Sequence, residues 1–194
     1  MTPALVLALT ITTTPGLLQF TMRVYDYVET HRRLAAAIEQ PLCSDAEERT
    51  QQADTLAAAI REARPRAKEG DIFTLAAGEM FGARIAAIVR RTGFDVAAFL
   101  ERHSGEGEDL EVHVFGALPW RSRVALMPII RQLPELPPEL EYRFVGRHLV
   151  LMDVGANIVV DVLRDALPLP VDAPLPVEPF TPCAVHPELD ACWM

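Results

Sequence analysis

The densest chemistry in this 194-residue chain stands near its C-terminus, in the stretch CAVHPELDAC. Cys183, His186, Glu188, Asp190 and Cys192 supply thiol, imidazole and carboxylate groups, the ligand types that zinc takes four at a time. Cys183, His186 and Cys192 are the metal candidates, although structural zinc sites space their cysteines more tightly. The two thiols can instead close a short disulfide, because the intervening residues let their Cα atoms approach to about 5.5 Å. An oxidising compartment favours that Cys183–Cys192 bond over zinc. Cys43 is then the odd thiol, ahead of a helix start.

Other chemistry-bearing residues are scattered. His103 and His113 flank the acidic loop of Glu106, Glu108 and Asp109, and with Glu111 they outline a weak cation site; the spacing is not that of a calcium loop. His31 falls on the apolar stripe of a helix, as a packing residue does. Ser44, Ser104 and Ser122 are the serines, and Ser44 already has a use as a helix cap. No phosphate-binding loop, dinucleotide fingerprint, zincin motif or nucleophile elbow is present. The stretch GALPWRSR sets a Trp beside two arginines, residue types enriched at interface hot spots. Trp120, Arg121 and Arg123, with Tyr142 and Arg147, form the candidate binding surface. No catalytic residue and no cofactor are assigned.

The elements that position these groups follow from periodicity. Val24, Tyr27, Val28, His31, Leu34, Ala35 and Ile38 recur at three and four, which predicts an amphipathic helix over 23–40. Ser44 and Glu47 fit a capping box for a second helix, with Ala53, Leu56, Ala57 and Ile60 inward and a stop before Pro65. Thr74 caps a third helix that Gly93 ends, and Asp95 caps a short fourth. The period then changes to two over Leu110, Val112 and Val114, predicting a strand. A short helix at 128–133 precedes LEYRFVGRHLVLMDVGANIVVDVL, a three-stranded meander. There Leu140, Tyr142 and Phe144 share the apolar face with Val150 and Met152, and with Ile158, Val160 and Val162. Gly146-Arg147 suits a two-residue type II′ turn. The expected fold is α+β: a helical body of about four helices, a small C-terminal antiparallel β-meander and a proline-rich tail. The corresponding divisions are 1–20, a possible signal peptide; 21–108; 109–167; and 168–194.

Composition narrows the functions. Eighteen basic against 27 acidic side chains leave a net charge of -9, with no cationic surplus to release counterions from a phosphate backbone. Nucleic acid is therefore not an expected partner. The apolar run from Ala4 to Ile11, followed by small polar residues and Pro15-Gly16, outlines a signal peptide with cleavage near Leu17. It lacks the usual early Lys or Arg, so an apolar core segment is the alternative. The run is too short to cross a bilayer.

The proline-punctuated helix, YRFVGRHLVLMDV and NIVVDVL together resemble the C-terminal β-modules of exported bacterial families, among them the periplasmic nickel/cobalt-homeostasis family. Residues 23–168 as a whole are similar to uncharacterised bacterial secreted proteins. That resemblance implies export and fold; it brings no metal function, because His148 stands alone in the module. Three functions are expected in turn: an exported protein, periplasmic or extracellular, that binds a protein or small molecule without catalysis; a periplasmic metal-binding or metal-sensing protein; and an unrecognised hydrolase. The last requires a Ser or His with an acid in one cleft. A cytoplasmic location is the alternative to export.

Overall fold

Pro15 sets the start of the first helix: its ring fixes a helical φ, and its missing N–H would be an orphan there anyway. In the computed structural model, which describes residues 14–38, 45–103, 111–119 and 122–169, α1 spans Pro15–Ala35. It begins ahead of the predicted residue 23 because the apolar stripe does so too, with Gly16 and Phe20 continuing Val24, Tyr27, Val28 and His31 as its buried face. Gly16 is required by close approach, since a Cβ there would lie 2.3 Å from the Ala76 carbonyl oxygen.

Helix α2, Ala46–Ala63, carries its capping box one residue later than predicted. Asp45 accepts from the Glu47 and Glu48 amides at 2.9 Å, and Glu48 reaches back to the Asp45 amide. The string Ser-Asp-Ala-Glu-Glu fits the pattern in two registers, and a carboxylate at the cap can accept from two amides at once. Thr74 and Gly93 bound α3, Leu75–Thr92, with Gly93 left-handed at φ 64°. Asp95 caps α4, Val96–His103. Helix α5 is only Met127–Ile130.

The meander is β1, Leu140–Val145, β2, His148–Asp153, and β3, Ile158–Leu163, antiparallel in the order β1-β2-β3. Val145 pairs with His148 across the expected two-residue turn, where Gly146 has φ 53°. One face packs on the helices: Leu140, Tyr142, Phe144, Leu149, Leu151, Ile158 and Val160 share a core with Phe20, Val24, Ile60, Phe81 and Ile85. Burial of this continuous apolar surface is the main force holding sheet to helices.

Two sequence expectations fail here, for one reason. Val150, Met152 and Val162 lie on the opposite face, clustered with Val112, Leu118, Val145 and Val159. Residues 111–119 do not form the predicted strand; they cross that second face as a strap. Its Phe115 and Gly116 exchange backbone hydrogen bonds with Val159 on the β3 edge, and Val124 does so with Phe144 on the β1 edge. The strap thus covers a face and pairs with the β3 edge, while Val124 pairs with the β1 edge. A sheet buried on both faces has no polar side, so alternation cannot assign its strands.

Between Leu151 and Met152 the β2–β3 register shifts: Leu151 opposes Asp161, yet Met152 opposes Val159. Val160 is the extra residue of a β-bulge. The bulge returns Asp161 to the helix-facing side, where plain alternation from Val160 would point it toward the strap.

Candidate functional site

Two carboxylates are fully buried on the helix-facing side, and they are held differently. Asp161 accepts from four backbone amides: Gly70 at 2.9 Å, Ile72 and Phe73 at 2.7 Å, and its own neighbour Val162 at 2.8 Å. Burial pushes its pKa above the ordinary aspartate value, against the downward pull of those amides. Asp161 anchors the loop before α3.

Asp153, at the end of β2, is also 0% exposed. Its Oδ2 accepts both the Tyr27 hydroxyl and the His31 Nδ1–H at 2.6 Å, and its Oδ1 accepts from the Ala156 amide at 2.8 Å. Tyr27 and His31 stand four apart on the buried stripe of α1, so one turn of helix presents both to one carboxylate. Desolvation, followed by the charge of Asp153, pushes the Tyr27 phenol far above its ordinary pKa, so it stays a donor. The Arg64 guanidinium lies 5.1 Å from the Tyr27 ring centre, within cation–π range.

His31 lines a cavity of about 390 Å³, within the roughly 300–1,000 Å³ typical of small-molecule sites. Helix α1 contributes His31 and Ala35, and the turn after it Ile38; α2 contributes Arg49, Gln52, Ala53 and Leu56; the β2–β3 turn contributes Val154 and Gly155. Ala35, Ile38, Ala53, Leu56 and Val154 form the apolar part of this wall, and His31, Arg49 and Gln52 the polar part. Gly155 leaves room beside the imidazole, since a Cβ there would sit 3.1 Å from His31 Cε1. With Nδ1 donated to Asp153, Nε2 is the ring nitrogen left for a ligand.

The residues singled out by sequence do not assemble into this site. Trp120 and Arg121, together with Cys183, His186 and Cys192 and the disulfide or zinc considered for them, lie outside the described residues, as do Cys43 and Ser44. Tyr142 is buried at 4% exposure among the Phe20 and Phe81 rings, and its hydroxyl donates to the Pro134 carbonyl at 3.2 Å. Arg123 donates to the Leu118 carbonyl, and Arg147 braces the Leu167 carbonyl and Asp165. Both arginines therefore bind main chain, and Tyr142 faces the helices. His103 and His113 are bound to the Phe99 and Glu111 carbonyls, and His148 accepts from the Asp165 amide. Among the described residues no group of three or more His, Cys, Asp or Glu comes together to hold a metal. Nor is any described helix long and apolar enough to cross a membrane.

Comparison with protein-family models, with curated proteins and with solved structures found no match. The case for this site consequently rests on its geometry. One signal for it was present in the sequence: Tyr27 and His31, two polar-headed residues on an apolar stripe, require buried partners. Asp153 and Asp161, acids closing or interrupting apolar strands, are those partners' natural candidates.

Proposed function

We propose that the protein is an exported binding protein without chemistry of its own, taking a small, largely aliphatic ligand in the cavity between α1, α2 and the β2–β3 turn. The observation that carries the binding reading is the combination of an apolar wall with one oriented polar group, His31 fixed by the buried Asp153. Such a pairing of apolar lining and few placed polar groups is what ligand cavities share. Export is supported by the apolar run from Ala4 to Ile11, which has the outline of a signal peptide. A chain starting at Leu17 would lose Pro15 and Gly16, the first turn of α1, so any cleavage that preserves this packing falls earlier.

Solvent extraction of natively purified protein, followed by mass spectrometry, tests the binding reading. A small aliphatic compound should be recovered, and Ala53→Phe, which fills the cavity, should abolish its recovery. Equal recovery from the filled variant defeats the reading. Cell fractionation with N-terminal mass determination tests export; an intact chain confined to the cytosol defeats it.

The hydrolase reading gains one specific observation, an imidazole on a buried carboxylate beside a cleft. The described lining contains no Ser, Thr, Cys or Lys, so His31 would act on water as a general base. A panel of chromogenic esters checks this: turnover by the wild type that His31→Gln removes would favour hydrolysis, and equal rates would exclude that role.

A further inference from the structure

We propose a second ligand site, in the cavity between α1 and the loop that follows α2, for a small zwitterion: an α-amino acid whose carboxylate accepts hydrogen bonds from Arg64 and Arg23 and whose ammonium donates to Asp26. This site does not depend on the aliphatic cavity beside His31. Its starting point is Arg64, whose side chain is only 20% exposed and whose guanidinium lies over the Tyr27 ring. Among the described residues that guanidinium has no hydrogen-bond acceptor. Asp71 Oδ2 stands 3.8 Å from Nη2, beyond hydrogen-bond reach, and already accepts from the Lys68 amide, while Nη1 is buried without a partner. A guanidinium keeps its charge and its five donors inside a protein, and a desolvated donor left without an acceptor is costly. The exposed part of Arg64 lines a cavity of about 250 Å³. A carboxylate there gives the group the acceptor it lacks.

The opposite wall decides what else the ligand carries. Arg23, Asp26, Tyr27 and Thr30 line the cavity from α1, spaced by three and four and so on one flank of the helix. Arg23 and Asp26 are exposed, and among the described residues neither side chain has a hydrogen-bond or ion-pair partner. Arg23 is thus a second cation without an acceptor, and Asp26 a carboxylate without a donor. With Arg64 and Asp71, the described wall holds two positive and two negative charges. A ligand of one sign would meet like charge as well as opposite charge; a ligand of both signs satisfies the arginines and Asp26 together. Its size follows from the volume, which equals that of about eight waters at roughly 30 Å³ each. Tyr27 and Ile72 are 3% and 1% exposed, so little apolar surface is offered to a long side chain. A small aliphatic amino acid such as valine matches both limits.

L-Valine, isovalerate, which lacks the ammonium, and isobutylamine, which lacks the carboxylate, each titrated calorimetrically into the full chain, test the assignment. L-Valine should bind at least about tenfold more tightly than either analogue, the scale of one lost charge-assisted hydrogen bond. Two substitutions at exposed, unpartnered positions should then give a crossed pattern. Arg23→Gln should weaken L-valine and isovalerate without weakening isobutylamine, and Asp26→Asn should weaken L-valine and isobutylamine without weakening isovalerate. Isovalerate binding as tightly as L-valine, with Asp26→Asn silent, would leave an anion site and overturn the zwitterion. Isobutylamine binding as tightly, with Arg23→Gln silent, would leave a cation site and overturn it equally. L-Valine binding that neither substitution changes lies elsewhere on the chain, and no binding of L-valine makes these charges an ordinary solvated surface; either result overturns the proposal.

Discussion

Asp153 and Asp161 are both fully buried, both on the helix-facing side of one small sheet, yet they do opposite things. Asp161 spends its lone pairs on backbone amides, which no side-chain rearrangement can take away. Asp153 holds two side chains of α1, one of which opens onto a cavity. A carboxylate ringed by main chain fixes a loop; a carboxylate ringed by side chains orients them. Only the second arrangement gives a protein a tuned group to present.

The largest effect should come from Asp161→Ala. Ile72 and Phe73 would keep buried amides without an acceptor, at about 1–3 kcal/mol for each unsatisfied group, and Gly70 would lose a part-buried bond, so a total of about 3–5 kcal/mol is expected. The shift of the denaturant midpoint reports it. A loss below about 1 kcal/mol would mean that water or a relaxed loop replaces the carboxylate, and the two aspartates would no longer be distinct in kind.

Asp153→Asn should cost less, about 2–3 kcal/mol, because its amide still accepts from one partner while its NH2 confronts another donor. Its signature is the coupling: the Tyr27→Phe and His31→Gln effects, each substantial in the wild type, should shrink in the Asp153→Asn background. A double-mutant cycle measures this. Additive effects would show that Tyr27 and His31 do not share one carboxylate in solution.

Gly146→Val should cost about 1–2 kcal/mol through forced positive φ at a β-branched residue, for no atom outside its own stretch of chain lies within 4 Å of the added Cβ. It alters the turn at the end of the sheet away from Asp153, so ligand affinity at the cavity should not change. A changed affinity would show that the whole meander, not the Asp153 network, sets the site.

Much of this molecule can be read from local signals. Thr74, Gly93 and Asp95 mark helix ends through caps that depend on a few neighbouring residues. The α+β order and the Gly146 turn are equally local. The phase of β2 is not, because His148, Leu149, Val150, Leu151 and Met152 give no alternation when both faces are covered. The bulge at Val160 is invisible for the same cause, and with it the inward aim of Asp161. The site is least legible: Tyr27 and His31 meet Asp153 from 126 and 122 residues away, and only the folded chain reveals the pairing. The Trp and Arg surface drew attention by residue type, while Arg123 and Arg147 are occupied in bracing backbone carbonyls.

A third tether of α1, beside Asp153, gives the smallest and most pH-dependent effect. Arg32 Nε donates to Glu139 Oε1 at 2.6 Å, and the Glu139 carbonyl accepts from the Val154 amide next to Asp153. The hydrogen bond from Arg32 holds the Glu139 carboxyl below its ordinary pKa. A carboxyl depressed in the folded state contributes stability above its unfolded value, and that contribution disappears as pH falls through the folded value. Asp161, raised by burial, has the reverse sign: its protonation favours the folded state as pH falls, with the effect complete below the unfolded value. The two groups oppose each other in acid. Glu139→Gln should therefore lower the denaturant midpoint only slightly at neutral pH, less than any substitution above, since Arg32 is largely exposed and its pairing is screened. Below about pH 4.5 the variant should lose stability less steeply than the wild type, leaving the opposing slope of Asp161 easier to see. Parallel midpoint-against-pH curves would show that Glu139 is not the group sensed there, and that the tethers of α1 act through Asp153 alone.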